Sequence, residues 1–281
     1  MSRPRRARTP PPGRRTRAIR TSVARVSARV GRGLRLFWAA PVAVRIAVAA
    51  AALLAAWAAT NWLVQTVRKP SEVLFPVGKA LVKTPARTWR EYGTLFREHS
   101  TPVVSPELLA ALAQIEGAGN PVARPRWSWH WSWNPYELYR PSSSAVGMFQ
   151  ITDAAFRDGK RYCIHDHAVA ADGPWYDLSS CWFNGLYTRV VPSHAIEMTS
   201  ALLHRSVVGT LARRRIASAT LGEKQDLAAV IHLCGAARGD AFVRLGFQPA
   251  AGERCGPQDL AGYLAQVNAL KRRFAALAAA D

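Results

Sequence analysis

Residues 108–121 read LLAALAQIEGAGNP, and how this stretch folds decides how the rest of the chain is read. Ser105 and Pro106 have the character of an N-cap and a first helical residue. Leu108, Leu109, Leu112 and Ile115 then recur at helical spacing on one face. Glu116 lies four residues after Leu112, at the edge of that apolar face and in the last turn of the predicted helix. The carbonyl end of a helix disfavours negative charge, and burial does the same, so the position suits a carboxyl that acts as a general acid. Gly117 and Gly119 follow at once and let the backbone turn away. A solvated Glu at a helix end has the same local sequence, so its surroundings must decide.

Toward the N-terminus the charge is one-sided. The 281-residue chain carries a net charge of +20, and 13 of its 38 basic residues fall in positions 1–45, where there is no Asp or Glu. Residues 1–36, rich in Arg and Pro, are expected to be a disordered tail. From Ile46 to Thr66 about 21 residues pass without a charge, enough for a helix to cross a bilayer. Trp38 and Trp62 stand near the ends of this run, and Arg45 is placed to reach headgroups. Residues 37–67 are therefore predicted to be a single transmembrane anchor with the N-terminus in the cytoplasm and the remainder outside it. A cleaved signal peptide fits less well, because the charged lead is long and no small-residue cleavage site follows the run. A nucleic-acid partner is not expected, since the tail's charge already serves topology.

Toward the C-terminus, residues 68–99 read as a linker with a leading helix. Thr84 and Pro85 open that helix, and Trp89, Tyr92 and Phe96 line its inner face. Residues 122–144 are loop-like, a helix is expected near Thr152, and 158–185 should form an irregular stapled loop. Further helices are expected at 192–206, at 221–233 behind a Thr220/Glu223 capping box, and at 257–279. No alternating run is long enough for a large sheet, so the fold class is mainly α. Cys163, Cys181, Cys234 and Cys255 all follow the apolar run, an even count that suits disulfides outside the cytoplasm. Three connectivities are open, and sequential pairing closes the shortest loops. The spacings match no zinc pattern, and His165-Asp166-His167 lacks further ligands, so neither a metal nor another cofactor is expected.

The stretch SSAVGMFQIT, residues 143–152, places Gly147 in a tight turn and Gln150 at a fixed offset from Glu116. A Glu closing a helix, then Asn-Pro, then Ala-x-Gly-x-x-Gln, resembles the lysozyme-like domain of soluble lytic transglycosylases over about residues 100–275. The family's Glu-Ser motif is here Glu116-Gly117, without the Ser. Its Gly-Leu-Met-Gln motif is Gly147-Met148-Phe149-Gln150. Its Ala-Tyr-Asn-Ala-Gly motif aligns with Ile231-His232-Leu233-Cys234-Gly235, where the Gly is shared and His232 stands in for the Tyr. GYLAQV, Gly262 to Val267, is similar to the family's final Tyr-Val motif, with Tyr263 in place to hydrogen-bond the Glu.

The resemblance implies a lysozyme-like domain over 100–281, facing the periplasm from a bacterial inner membrane. It would cleave the MurNAc–GlcNAc bond of peptidoglycan. Glu116 would be the sole catalytic group, acid first and base second, closing a 1,6-anhydro ring. Gly147, Met148, Phe149, Gln150, His232 and Tyr263 would bind the glycan strand. A hydrolytic muramidase and a non-catalytic peptidoglycan-binding scaffold are the alternatives, and partners in wall turnover or in a secretion machine stay open. Glu137 and Glu197 are further carboxylates, and Glu197 is expected to cap a helix or sit at the surface. In WSWHWSW, residues 127–133, Trp127, Trp129, Trp131 and Trp133 alternate and would share one face of an extended strand. The stretch is either a hairpin whose Trp residues pack on the domain with their N–H groups reaching partners, or it offers rings, Trp131 and Trp133 foremost, for stacking on sugars.

Overall fold

The computed structural model describes residues 35–74, 78–177 and 179–281, so the basic tail lies outside the described residues up to Leu34. Two units are distinguished, one ending at Leu63 and one spanning Val64–Asp281. The chain is mainly helical. The first unit holds most of helix α1 (Val42–Arg68), whose 27 residues include an 18-residue window of mean hydropathy 2.1. At 1.5 Å per residue, α1 is long and apolar enough to span a bilayer.

In the second unit, short 3₁₀ turns at Pro70–Leu74 and Lys79–Leu81 lead into α2 (Pro85–Glu98). Thr84 caps α2 by accepting from the Arg87 N–H. Trp89, Tyr92 and Phe96 form its buried stripe. Helix α3 (Pro106–Gly117) begins at Ser105, whose hydroxyl accepts from the Leu108 N–H at 3.3 Å. Leu108 to Ala113 are all fully buried, which makes α3 the central helix rather than one with a single apolar stripe. It packs against α2 and against the last helix, α8 (Leu260–Ala278). Between them come α4 (Asp153–Gly159), α5 (Pro192–Arg213), α6 (Leu221–Cys234) and α7 (Ala236–Arg244). Phe96, Leu108, Leu109, Leu112, Ile196, Leu227 and Phe274 are fully buried in one core, each contributing about 1.5–3 kcal/mol of transfer free energy.

Among the described residues, three two-stranded antiparallel hairpins decorate the helices. The first pairs β1 (Trp127–Trp129) with β2 (Tyr139–Pro141), with Trp127 opposite Pro141 and Trp129 opposite Tyr139. The second pairs β3 (Tyr162–His165) with β4 (Ala168–Ala171), inside the segment read as irregular. Its turn residues, Asp166 and His167, both have positive φ, as a type I′ turn requires. The His-Asp-His stretch is thus accounted for by hairpin geometry, and no cluster of metal-ligating side chains occurs among the described residues. The third pairs β5 (Arg254–Cys255) with β6 (Gln258–Asp259). Two disulfides, Cys163–Cys181 and Cys234–Cys255, follow the sequential pairing.

Several expectations need correction. Helix α5 runs to Arg213 rather than 206, and α7 was not foreseen after Gly235. Glu197 is neither a cap nor a surface residue: it is 6% exposed and accepts from the Ile164 N–H at 2.8 Å and the Tyr187 hydroxyl at 2.6 Å. It fastens the stapled segment to α5, which is why a carboxylate is tolerated there. The Trp alternation is not carried by one strand, because β1 stops at Trp129.

Candidate active site

Glu116 occupies the last turn of α3, and the helix ends abruptly behind it. Ala118 and Gly119 both adopt left-handed backbone, at φ 49° and 64°. The Ala118 and Gly119 N–H groups return to the carbonyls of Gln114 and Ala113, so the helix closes its own C-terminus. A β-carbon at position 119 would fall 2.2 Å from the Thr88 hydroxyl, so only glycine fits. The Lys83 backbone N–H and ammonium donate to the Ala118 and Gly119 carbonyls, and the Asn120 amide donates to Gly78. The turn after Glu116 is therefore pinned from the side of the linker.

A second turn meets α3 at the next residue. Gly147 has φ 82° and donates its N–H to the Ala123 carbonyl. A β-carbon on it would lie 2.3 Å from the Arg189 carbonyl oxygen. Gln150, at φ 47°, folds back so that its backbone and side-chain N–H groups both donate to the Gly147 carbonyl, at 3.0 and 2.9 Å. Met148 and Phe149 are wholly buried, backbone included, so they shape the turn from the core side and are not placed to meet a glycan strand. At position 117 a β-carbon would stand 2.7 Å from Met148 Cα and 2.8 Å from its carbonyl oxygen. Gly117 thus permits direct contact between the end of α3 and the Gly147–Gln150 turn, which any side chain there would obstruct.

From α8, the Tyr263 hydroxyl donates to Glu116 Oε1 at 2.9 Å. Burial, reinforced by the neighbouring Glu116 charge, pushes the Tyr263 phenol far above its ordinary range, so it remains a donor. Glu116 itself is half-buried and opens on a cavity of about 370 Å³, with Val82, Ile115, Asn120, Val122 and Arg124 among its walls. Among the described residues lining it, Glu116 is the only acid. Arg124 is engaged by Glu72, a fully buried carboxylate that also accepts from the Trp127 indole at 2.9 Å.

His232 and Gln150 line a different cavity, of about 280 Å³, together with Asp158 and Gly235. The 147–150 turn lies between the two, since its Met148 backbone touches Gly117 and its Gln150 borders the second cavity. Trp131 and Trp133 line neither. Glu137 pairs with Arg68 at 3.4 Å, and Glu197 is consumed by its two donors. The contributions of Asn120, Lys83 and Thr88 were not foreseen from sequence, because each acts on a backbone carbonyl or a glycine far along the chain. No protein-family model, no curated protein and no solved structure matches this chain.

Proposed function

We propose that the second unit is a peptidoglycan lytic transglycosylase with a lysozyme-like domain over residues 100–281. In this reading α1 anchors it in a bacterial inner membrane, with the N-terminus cytoplasmic and the catalytic domain periplasmic. One observation supports the reading above the others. The lone cavity carboxylate, Glu116, receives a hydrogen bond from Tyr263 while the Gly147–Gln150 turn presses against the residue behind it.

The chemistry follows from that geometry. Tyr263 holds Oε1, which leaves Oε2 to carry the transferable proton. Glu116 gives this proton to the bridging oxygen as the MurNAc C1–O bond breaks, and the N-acetyl oxygen of the same sugar supports the electron-poor C1. The Glu116 carboxylate then takes the proton of the C6 hydroxyl as its oxygen bonds to C1. The carboxyl returns to its starting form, and the product is a 1,6-anhydro sugar. An inverting hydrolase needs a second carboxylate about 6.5–9.5 Å away to activate water. The absence of another acid among the described residues of the cavity favours the internal nucleophile.

Digestion of purified sacculi with the full chain, followed by mass spectrometry, tests the reading. The expected products are 1,6-anhydro-muropeptides. Products heavier by one water would indicate a muramidase, and no release would indicate a binding protein.

A further inference from the structure

The hairpin β1–β2 carries two tryptophans that no element among the described residues covers: Trp131 is 97% and Trp133 is 99% exposed, and Trp129 on β1 is 70% exposed. Their loop is nevertheless ordered by its own bonds. The Ser132 hydroxyl accepts from the Asn134 N–H, the Asn134 side chain from the Tyr136 N–H, and the Leu138 carbonyl from the His130 N–H. At its base, Trp127 is tied to buried Glu72. Two indoles held outward on a loop closed by its own hydrogen bonds form a surface that a partner can cover.

The loop also holds the end of α1. Gln65 donates its side-chain amide to the Tyr136 carbonyl, and Arg68 pairs with Glu137. Gln65 is the penultimate residue of the uncharged run 46–66, so this contact stands where the run gives way to polar sequence. Arg126 and Arg140, exposed at the base of the same hairpin, supply positive charge on this part of the surface. Amphipathic indoles and flanking cations are the side chains that favour the headgroup level of a bilayer.

We propose that the 130–137 loop is an interfacial membrane anchor, with Trp131 and Trp133 inserted at the headgroup–acyl boundary of the bilayer that α1 crosses. This rests on the reading of α1 as a membrane span. It assigns the two exposed rings to lipid rather than to sugar, and it docks the second unit on the membrane at two points instead of one.

The test uses the full chain in nanodiscs of phosphatidylethanolamine and phosphatidylglycerol, with nitroxide on a shallow acyl position of the lipid. Subtracting the emission of Trp131→Phe/Trp133→Phe from wild type isolates the loop, and Trp57→Phe/Trp62→Phe isolates α1. The expected loop emission is blue-shifted, loses most of its intensity to the nitroxide lipid and resists aqueous iodide. A loop emission quenched by iodide and untouched by nitroxide, with α1 still quenched, overturns the proposal and leaves the span intact. If added glycan strands then shield the loop from iodide, it is a sugar surface. Absence of nitroxide quenching from α1 as well overturns the span and this proposal together.

Discussion

The α-carbon of Met148 lies where Gly117 has no side chain: a β-carbon there would come within 2.7 Å of it. This close approach couples the residue after Glu116 to the turn that presents Gln150. Gly117→Ser is therefore expected to force the turn off α3. Overpacking of this kind costs about 1–3 kcal/mol. For a unit of this size each kcal/mol lowers Tm by about 2–4 °C, and thermal unfolding followed by circular dichroism reads it. An unchanged Tm would mean that the two segments separate freely.

Tyr263→Phe removes the hydroxyl that donates to Glu116 and little else. Hydrogen bonds to charged groups contribute about 1.5–3 kcal/mol, so kcat should fall by about 10–100-fold while binding to sacculi is retained. Turnover of labelled sacculi at saturation, measured beside a pull-down, separates the two. Equal losses in binding and turnover would make Tyr263 a contact for the strand instead.

The two disulfides close separations of 18 and 21 residues, and each is expected to contribute about 3 kcal/mol. Cys234 ends α6, two residues after His232, so Cys234→Ser/Cys255→Ser should loosen that helix end as well as lower Tm. Calorimetry before and after reduction measures the loss.

Burial holds His194 and His204 below the ordinary histidine range; His194 stacks on Tyr187 and His204 meets the Thr101 hydroxyl at 3.0 Å. The unfolded chain then binds more protons than the folded one below about pH 6.5, so stability is full above that value and declines as pH falls through it. His204→Gln should flatten the decline. Urea midpoints across pH 5–8 report it, and a slope of opposite sign would refute the assignment.

The parts of the fold that were legible in sequence are those set by near neighbours. Thr84, Ser105 and Thr220 act within three residues of themselves, so each cap could be read directly. The paired cysteines likewise close short loops. Glu197 could not be read, because its partners are a backbone N–H 33 residues away and a hydroxyl 10 residues away. A hairpin at the Trp-rich stretch was among the readings, but its strands of three residues each are shorter than the Trp alternation suggested, and Trp131 and Trp133 stay off the domain. Helix α7 was missed because Gly235 before it offers no side-chain cap. At the site, Glu116 was visible from the end of its helix. Its bond to Tyr263 spans 147 residues and was visible only through resemblance.

Glu116 is proposed as the sole proton donor and acceptor of the reaction, and Glu116→Gln isolates that role. The amide keeps the shape and the bond to Tyr263 but has no proton to exchange. Release of 1,6-anhydro-muropeptides from sacculi by the full-length variant, quantified by mass spectrometry against wild type, should fall by about 10⁴-fold, the upper end for general acid–base catalysis, with sacculus binding and Tm unchanged. Wild-type-like release by the folded variant would contradict the account.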